Sequence, residues 1–329
     1  MLRHAVTQRL NLVFEHVVGV HPARGTGSSA DTFRLMTQRT RAYFGLVVAA
    51  ALFGATFVVI KDAVVTLPPL AFVAWRFLLG AAALFVFARP RGRGIWVDGL
   101  AAGSLLFVGF ATQTAGLETT SASNSALITG LYVVFTPVLA AVAVRRLPAL
   151  STVSGAVLSV VGLGFLTLTA GFTLNRGDLL TVICAVAFGA HIVVLARLAP
   201  RHAVVPFTAI QLIVVAVLSL AASAMFEGLP LPSASVVPAL IGTGVIVSAG
   251  AFMLHVSAQR VIGPSRTAIV LSAEPVFATA TAAFVLSERL TARGWFGAAL
   301  IMAGIYVVLA FSPPEEADLI AAEGLSEAH

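Results

Sequence analysis

The chain has 329 residues, of which 59% are apolar and only 10% are charged, and its formal net charge is +6. Ordinary soluble domains contain roughly 25% charged residues, so a soluble globule of this length could not cover its surface. The composition excludes soluble enzymes, nucleic-acid-binding domains and disordered chains, and the mean hydropathy of +0.99 favours a polytopic membrane protein. Because one bilayer-spanning helix needs about 20 apolar residues, the chain has material for roughly ten spans.

Ten continuous apolar stretches follow one another along the chain, and each is long enough to cross a bilayer as a helix. Continuous runs favour helices over barrel strands, which alternate apolar and polar residues. The short connections carry breakers such as Pro68-Pro69, so neighbouring helices are expected to be antiparallel. We therefore predict an all-α polytopic membrane protein with ten transmembrane helices. The predicted spans are residues 44–60, 67–88, 99–117, 123–144, 151–171, 179–196, 204–226, 236–258, 267–287 and 294–312.

The basic residues predict the orientation of these spans in the membrane. The loops on the side of the N-terminus contain 15 Arg and Lys residues, the opposite loops contain 4, and Arg76 lies inside a span. Loops rich in Arg and Lys stay in the cytoplasm. Both termini are therefore predicted to be cytoplasmic.

The two ends of the chain lie outside the predicted spans. Residues 1–41 do not resemble a signal peptide, because their one apolar stretch is weak and contains Glu15 and His16. Two interpretations stay open: this segment is a cytoplasmic arm, disordered or lying on the membrane surface, or translation begins at Met36. Residues 313–329 contain acidic residues and no Lys or Arg, which predicts a solvated, acidic cytoplasmic tail.

The two halves of the chain resemble each other in sequence. The segment that begins Phe53-Gly-Ala-Thr matches the one that begins Phe188-Gly-Ala-His at an offset of 135 residues, and two glycines of the fifth span match two of the tenth at an offset of 142. Because five spans are an odd number, the second copy would enter the membrane from the opposite side. Inverted repeats of this kind build many secondary transporters, with the substrate site near the midplane between the halves.

The same segments resemble a known family. Residues 50–61 with the following Pro68-Pro69 and Trp75-Arg76-Phe77, and the closing Pro275-Val-Phe with Ser287-Glu288-Arg289-Leu290-Thr291, are similar to the EamA branch of the drug/metabolite transporter superfamily. The resemblance implies two EamA-like repeats, residues 42–171 and 178–312. It also implies a carrier in the bacterial plasma membrane that moves small organic solutes without a cofactor.

Four residues that can carry a charge near neutral pH lie well inside the predicted spans: Arg76, His191, His255 and Glu274. A charge at the bilayer centre costs about 2.5–3.5 kcal/mol, so such side chains are expected to face the bundle interior or a wet cavity. Arg76 is either a structural cation or the counter-ion of an anionic substrate group. Glu274 is either a proton-coupling carboxylate or the ion-pair partner of Arg76.

The repeat relates both histidines to polar residues of the first half. His191 aligns with Thr56 at the offset of 135, and His255 aligns with Gln113 at the offset of 142. A lone histidine on an apolar helix is usually a core residue with a hydrogen-bond partner. Polar residues at matched positions of an inverted repeat would lie around one axis, however. We therefore predict that these four residues bind the substrate.

Further candidates lie in the fourth, seventh and ninth spans. Asn124 and Tyr132 are added as substrate-binding candidates, whereas Gln211, which aligns with Arg76, is interpreted as structural. Pro137 and Pro275 each remove a backbone donor inside a span and free a carbonyl group, so they are predicted hinges or gates. The sequence contains neither side chains spaced as metal ligands nor a phosphate-binding loop, so no metal site and no nucleotide site is predicted.

These observations favour a secondary transporter, and an exporter in particular, that moves a small polar organic metabolite by alternating access. Its partners are expected to be the substrate and the lipid bilayer, with no nucleic acid. A passive facilitator is the main alternative, and an intramembrane enzyme or a haem-binding bundle is a more remote one. The matched glycines of the fifth and tenth spans also suggest a contact between helices, either within the chain or in a homodimer. These residues are Gly155, Gly162, Gly297 and Gly304.

Overall fold

The computed structural model describes residues 29–120, 122–167, 175–285 and 291–312. These residues form helices and connecting turns. The helices are α1 (Ser29–Ala63), α2 (Pro69–Phe85), α3 (Arg93–Gly116), α4 (Ala122–Gly130), α5 (Tyr132–Val144), α6 (Leu150–Thr167), α7 (Arg176–Leu198), α8 (Val204–Phe226), α9 (Val237–Ile241), α10 (Phe252–Ala258), α11 (Pro264–Leu271), α12 (Glu274–Val285) and α13 (Ala292–Phe311). A π-helix, Gly242–Ala251, joins α9 to α10, and a 3₁₀ turn, Ala199–Arg201, follows α7.

Each predicted span contains helical residues, and the prediction of an all-helical membrane protein is confirmed. Within the described residues, seven helical segments of 20 to 27 residues are apolar enough to cross a membrane. Two further apolar helices, Pro69–Phe85 and Leu150–Phe165, are shorter. The number of ten crossings and the inverted arrangement of the halves stay predictions.

The first helix begins earlier than the sequence indicated. α1 starts at Ser29 and continues without a break to Ala63, so residues 29–41 are helical and continuous with the first predicted span. Residues 1–28 and the acidic tail, 313–329, lie outside the described residues.

Two predicted spans are broken into consecutive helices. The fourth is interrupted at Leu131, six residues before Pro137, which lies inside α5. The ninth is interrupted at residues 272–273, and Pro275 is the second residue of α12. Proline is tolerated in the first turn of a helix, where its missing N–H has no partner in any case. Pro275 therefore follows a break in the span, whereas Pro137 lies within a continuous helix.

Helices of the two halves pack against each other throughout the fold, so the halves do not form separate bundles. α2 packs on α8, α3 on α7, and α1 on the π-helix, α10 and α12. The cavity described below lies where these contacts meet.

The predicted glycine contact between the fifth and tenth spans lies inside this chain, between α6 and α13. A Cβ atom at Gly162 would lie 2.6 Å from the carbonyl oxygen of Gly297, and one at Gly304 would lie 2.6 Å from that of Gly155. The two backbones can approach this closely only without side chains. A homodimer would therefore need other faces of these helices.

The N-terminus of α2 is held by a carboxylate from the far end of α8. The residue before α2, Pro68, makes no side-chain cap. Instead, Glu227 accepts hydrogen bonds from the backbone N–H groups of Leu70 (2.9 Å) and Ala71 (2.8 Å), and Ser223 donates to the same side chain at 2.9 Å. The first turn of a helix leaves such N–H groups without partners and favours negative charge. Glu227 satisfies both requirements.

Candidate functional site

A cavity of about 570 Å³ lies between the two halves of the chain. Aromatic side chains form much of its wall: Phe53, Phe57, Phe110, Phe188 and Phe252. Its polar lining consists of seven of the eight predicted binding and coupling residues: Thr56, Arg76, Gln113, Tyr132, His191, His255 and Glu274. Helices α1, α2, α3, α5, α7, α10 and α12 each contribute one of them. For the eighth, Asn124 in α4, the side chain lies outside the described residues.

Arg76 is held by α2 deep inside the protein, with 1% of its surface exposed. Its Nε donates a hydrogen bond to the Ser248 hydroxyl at 2.9 Å. The guanidinium carbon lies 5.3 Å and 5.2 Å from the ring centroids of Phe77 and Phe110, within the range of a cation–π interaction. The side chain is therefore fixed by a hydroxyl and two aromatic rings.

Arg76 and Glu274 are electrostatic neighbours across this cavity, and Tyr132 is the other group that acts on Glu274. Within the described residues, no ion pair of 4.0 Å or less joins the guanidinium to the carboxylate. The two opposite charges thus face one cavity without direct contact.

The two histidines form a ring contact on another wall. Their centroids lie 5.9 Å apart with the ring planes at 70°. His191 Nε2 lies 3.0 Å from the Gln211 side-chain oxygen, whereas the two ring nitrogens of His255 are buried and have no hydrogen-bond partner in the described part of the chain. The residues that the structure describes contain no group of three or more His, Cys, Asp or Glu side chains that could hold a metal ion.

The remaining polar residues differ in their hydrogen-bonding capacity. Thr56 donates to the Phe53 carbonyl of its own helix at 2.6 Å, so its hydroxyl proton is not available to a substrate. Gln113 donates from Nε2 to the Thr129 hydroxyl at 3.1 Å. The buried hydroxyl of Tyr132 makes no hydrogen bond of 3.5 Å or less with the described residues, and its polar neighbour is Glu274. These contacts make Thr56 the least available of the predicted binding residues.

Two residues outside the lining hold it in place. Sequence reasoning missed Ser248, which bonds Arg76. Gln211, interpreted above as structural, contacts His191 through its side chain. A polar residue inside an apolar span is the signal that both carry, but neither spacing nor the repeat relates them to their partners.

Polar contacts join the two halves at one end of the helix bundle. Lys61 at the end of α1 donates to the carbonyl oxygens of Leu117 (2.5 Å) and Thr120 (3.1 Å) beyond α3. The Thr120 hydroxyl in turn donates to Asp178. Asp178 also forms a reciprocal capping box with Asn175 at the start of α7. The ends of α1, α3 and α7 are therefore tied together.

Comparisons with known proteins agree with the fold described above. A sequence model of the EamA-like transporter family matches this chain twice, over residues 40–168 and 175–310. A protein of Archaeoglobus fulgidus named "Uncharacterized transporter" is 33% identical over 272 residues, which are 82% of this chain and 86% of that protein. A solved crystal structure of a protein that is 20% identical covers 84% of this chain and 98% of its own, with a TM-score of 0.71, and shares the fold. The two matches to one family model cover most of this chain, which belongs to the EamA-like transporter family.

Proposed function

We propose that this transporter exports a small polar organic metabolite by alternating access and that a proton gradient drives it. The observation that carries the proposal is the cavity whose polar lining comes from both repeats, with Arg76 and Glu274 facing it without direct contact. A site between two repeats is where secondary transporters bind their substrates. The named relative supports the transport role, and the cavity supports the choice of substrate.

The packing of the halves supports an inverted repeat. If the five spans of one half correspond to those of the other, the contact of α3 with α7 corresponds to the contact of α1 with the π-helix and α10. The contact of α2 with α8 then corresponds to itself. Such exchange of contacts is expected from two halves related by a two-fold axis in the membrane plane, which could rock about the shared cavity.

The lining indicates the chemistry of the substrate. Arginine binds carboxylate and phosphate groups through its planar set of donors, and Arg76 has no carboxylate within ion-pair distance in the described residues. The phenylalanine rings offer an apolar surface to the carbon skeleton. The proposed substrate is therefore an organic solute with an anionic group and a short apolar part.

Glu274 is the proposed coupling residue. The cavity would hold either the substrate or a proton on Glu274. One proton would therefore be carried back across the membrane for each substrate molecule exported. A passive facilitator would have the same cavity without this dependence, which makes Glu274 the residue that distinguishes the two mechanisms.

The test is transport in proteoliposomes by the wild type and by Glu274→Gln, with Glu118→Gln as the matched control on an exposed residue at the end of α3. A thermal-shift panel of amino acids, sugars and organic acids first selects the solute. We expect Glu274→Gln to keep binding and solute exchange but to lose transport driven by a pH gradient. Gradient-driven transport at the wild-type level by Glu274→Gln would refute proton coupling through this residue. A wild type that equilibrates the solute but never accumulates it would establish the facilitator.

The same variant also tests the second role considered for Glu274, a structural ion pair with Arg76. Removing one partner of a buried ion pair costs about 3–5 kcal/mol, because the other charge remains unpaired. A pair would therefore make Glu274→Gln fold poorly, and Arg76→Gln in the same chain would restore the yield. Since no ion pair of 4.0 Å or less joins them, we expect normal yields from Glu274→Gln alone.

A further inference from the structure

Gln211 lies in α8 and has 1% of its surface exposed. Its side-chain nitrogen donates to the Phe207 carbonyl of its own helix at 3.4 Å, and its side-chain oxygen lies 3.0 Å from His191 Nε2. A backbone carbonyl only accepts hydrogen bonds, so the amide nitrogen must be the atom that faces Phe207. The amide oxygen, which only accepts, is therefore the atom presented to His191.

This orientation determines which nitrogen of His191 carries the proton. Because the Gln211 oxygen accepts, Nε2 must donate, and in a neutral imidazole the other nitrogen, Nδ1, is then an acceptor. Nδ1 makes no hydrogen bond with the described residues. It is also not one of their solvent-inaccessible polar atoms without a partner, so it reaches open space. Since His191 lines the cavity and is otherwise 1% exposed, the open space that Nδ1 reaches is the cavity.

We propose that Gln211 is a positioning residue that holds His191 as the Nε2–H tautomer, so that Nδ1 is presented to the substrate as a hydrogen-bond acceptor. The substrate then carries a donor at this wall, such as an ammonium, hydroxyl or N–H group, in addition to the anionic group that faces Arg76. The inference rests on the proposed transport cavity and specifies the chemistry of its ligand.

Nitrogen-15 NMR of histidine-labelled protein in lipid bilayers tests the tautomer directly, without a substrate. His191→Asn identifies the His191 signals by their loss, and His191→Gln provides the same assignment if that variant folds better. At neutral pH we expect a protonated Nε2 and an unprotonated Nδ1 in the wild type. A proton on Nδ1 of His191 would overturn the proposal.

Gln211→Met removes the acceptor with little change of volume, and Gln259→Met is the matched control. Gln259 is 2% exposed and donates from Nε2 to the Ile192 carbonyl at 2.9 Å, so it also joins a neighbouring helix. Its histidine neighbour is His255, so Gln259→Met also controls for an indirect effect through that ring. We expect Gln211→Met to shift the tautomer ratio of His191 by about threefold or more, the equivalent of one hydrogen bond, and Gln259→Met to leave it unchanged. The same ratio in both variants would refute the positioning role. The NMR result and the transport assay can fail independently, which separates this inference from the proposed function.

Discussion

The carboxylate of Glu227 offers a quantitative test of how the start of α2 is held. Glu227→Ala removes the acceptor of two backbone N–H groups at the start of α2, at 2.9 and 2.8 Å, together with the negative charge at that end of the helix. Loss of a capping side chain costs about 0.5–2 kcal/mol, and loss of a favourable charge adds about 0.3–1 kcal/mol. We therefore expect Glu227→Ala to destabilise the folded protein by about 1–3 kcal/mol.

Glu227→Gln keeps one neutral oxygen that can accept from a single N–H group, so about half of that loss is expected. The measurement is thermal unfolding of detergent-solubilised protein, followed by the loss of the monodisperse peak in size-exclusion chromatography. Glu118→Ala is the control, because Glu118 is exposed at the end of α3. Glu227 lies outside the cavity lining, so transport per folded molecule should not change. Equal unfolding temperatures for Glu227→Ala and Glu118→Ala would refute the assigned role.

Three further predictions concern packing, topology and ligand chemistry. Gly162→Ala places a Cβ 2.6 Å from a backbone oxygen of α13 and should lower the free energy of unfolding by about 1–3 kcal/mol. Gly250→Ala, with open space around it, is the control. Equal unfolding temperatures for the two variants would contradict this packing. In intact cells, an impermeant thiol reagent should label Leu231→Cys but not Leu147→Cys, positions that are 79% and 94% exposed; the reverse pattern would invert the predicted orientation. In thermal-shift assays lactate should stabilise the protein more than propionate, because its hydroxyl can donate to His191, and a preference for propionate would contradict the donor requirement.

Most of the polar side chains that line the cavity could be predicted from the sequence alone. The cost of placing a charge in a bilayer singled out Arg76 and Glu274, and the internal repeat related each histidine to a polar residue of the other half. Both arguments depend only on residue type and position along the chain. They therefore predicted which side chains share the cavity.

The contacts that hold these side chains could not be predicted in this way. Ser248 and Arg76 are 172 residues apart, so their contact depends on how α2 packs against the π-helix. That packing requires Gly80 and Gly244, because a Cβ at Gly80 would lie 2.7 Å from the Gly244 carbonyl oxygen. The register between two helices follows from many such contacts at once, and no local pattern encodes it.

Because of the π-helix between Gly242 and Ala251, the side chains that this helix presents to the cavity depend on the number of residues in the segment. A π-helix closes each turn over one residue more than an α-helix, from i to i+5. Phe252 and His255, which line the cavity, come directly after it. Deleting a single residue within 242–251 and restoring α-helical turns would rotate both side chains about the helix axis, although neither would be substituted. Relatives that differ here by one inserted or deleted residue are therefore expected to present other side chains of this helix to their substrates.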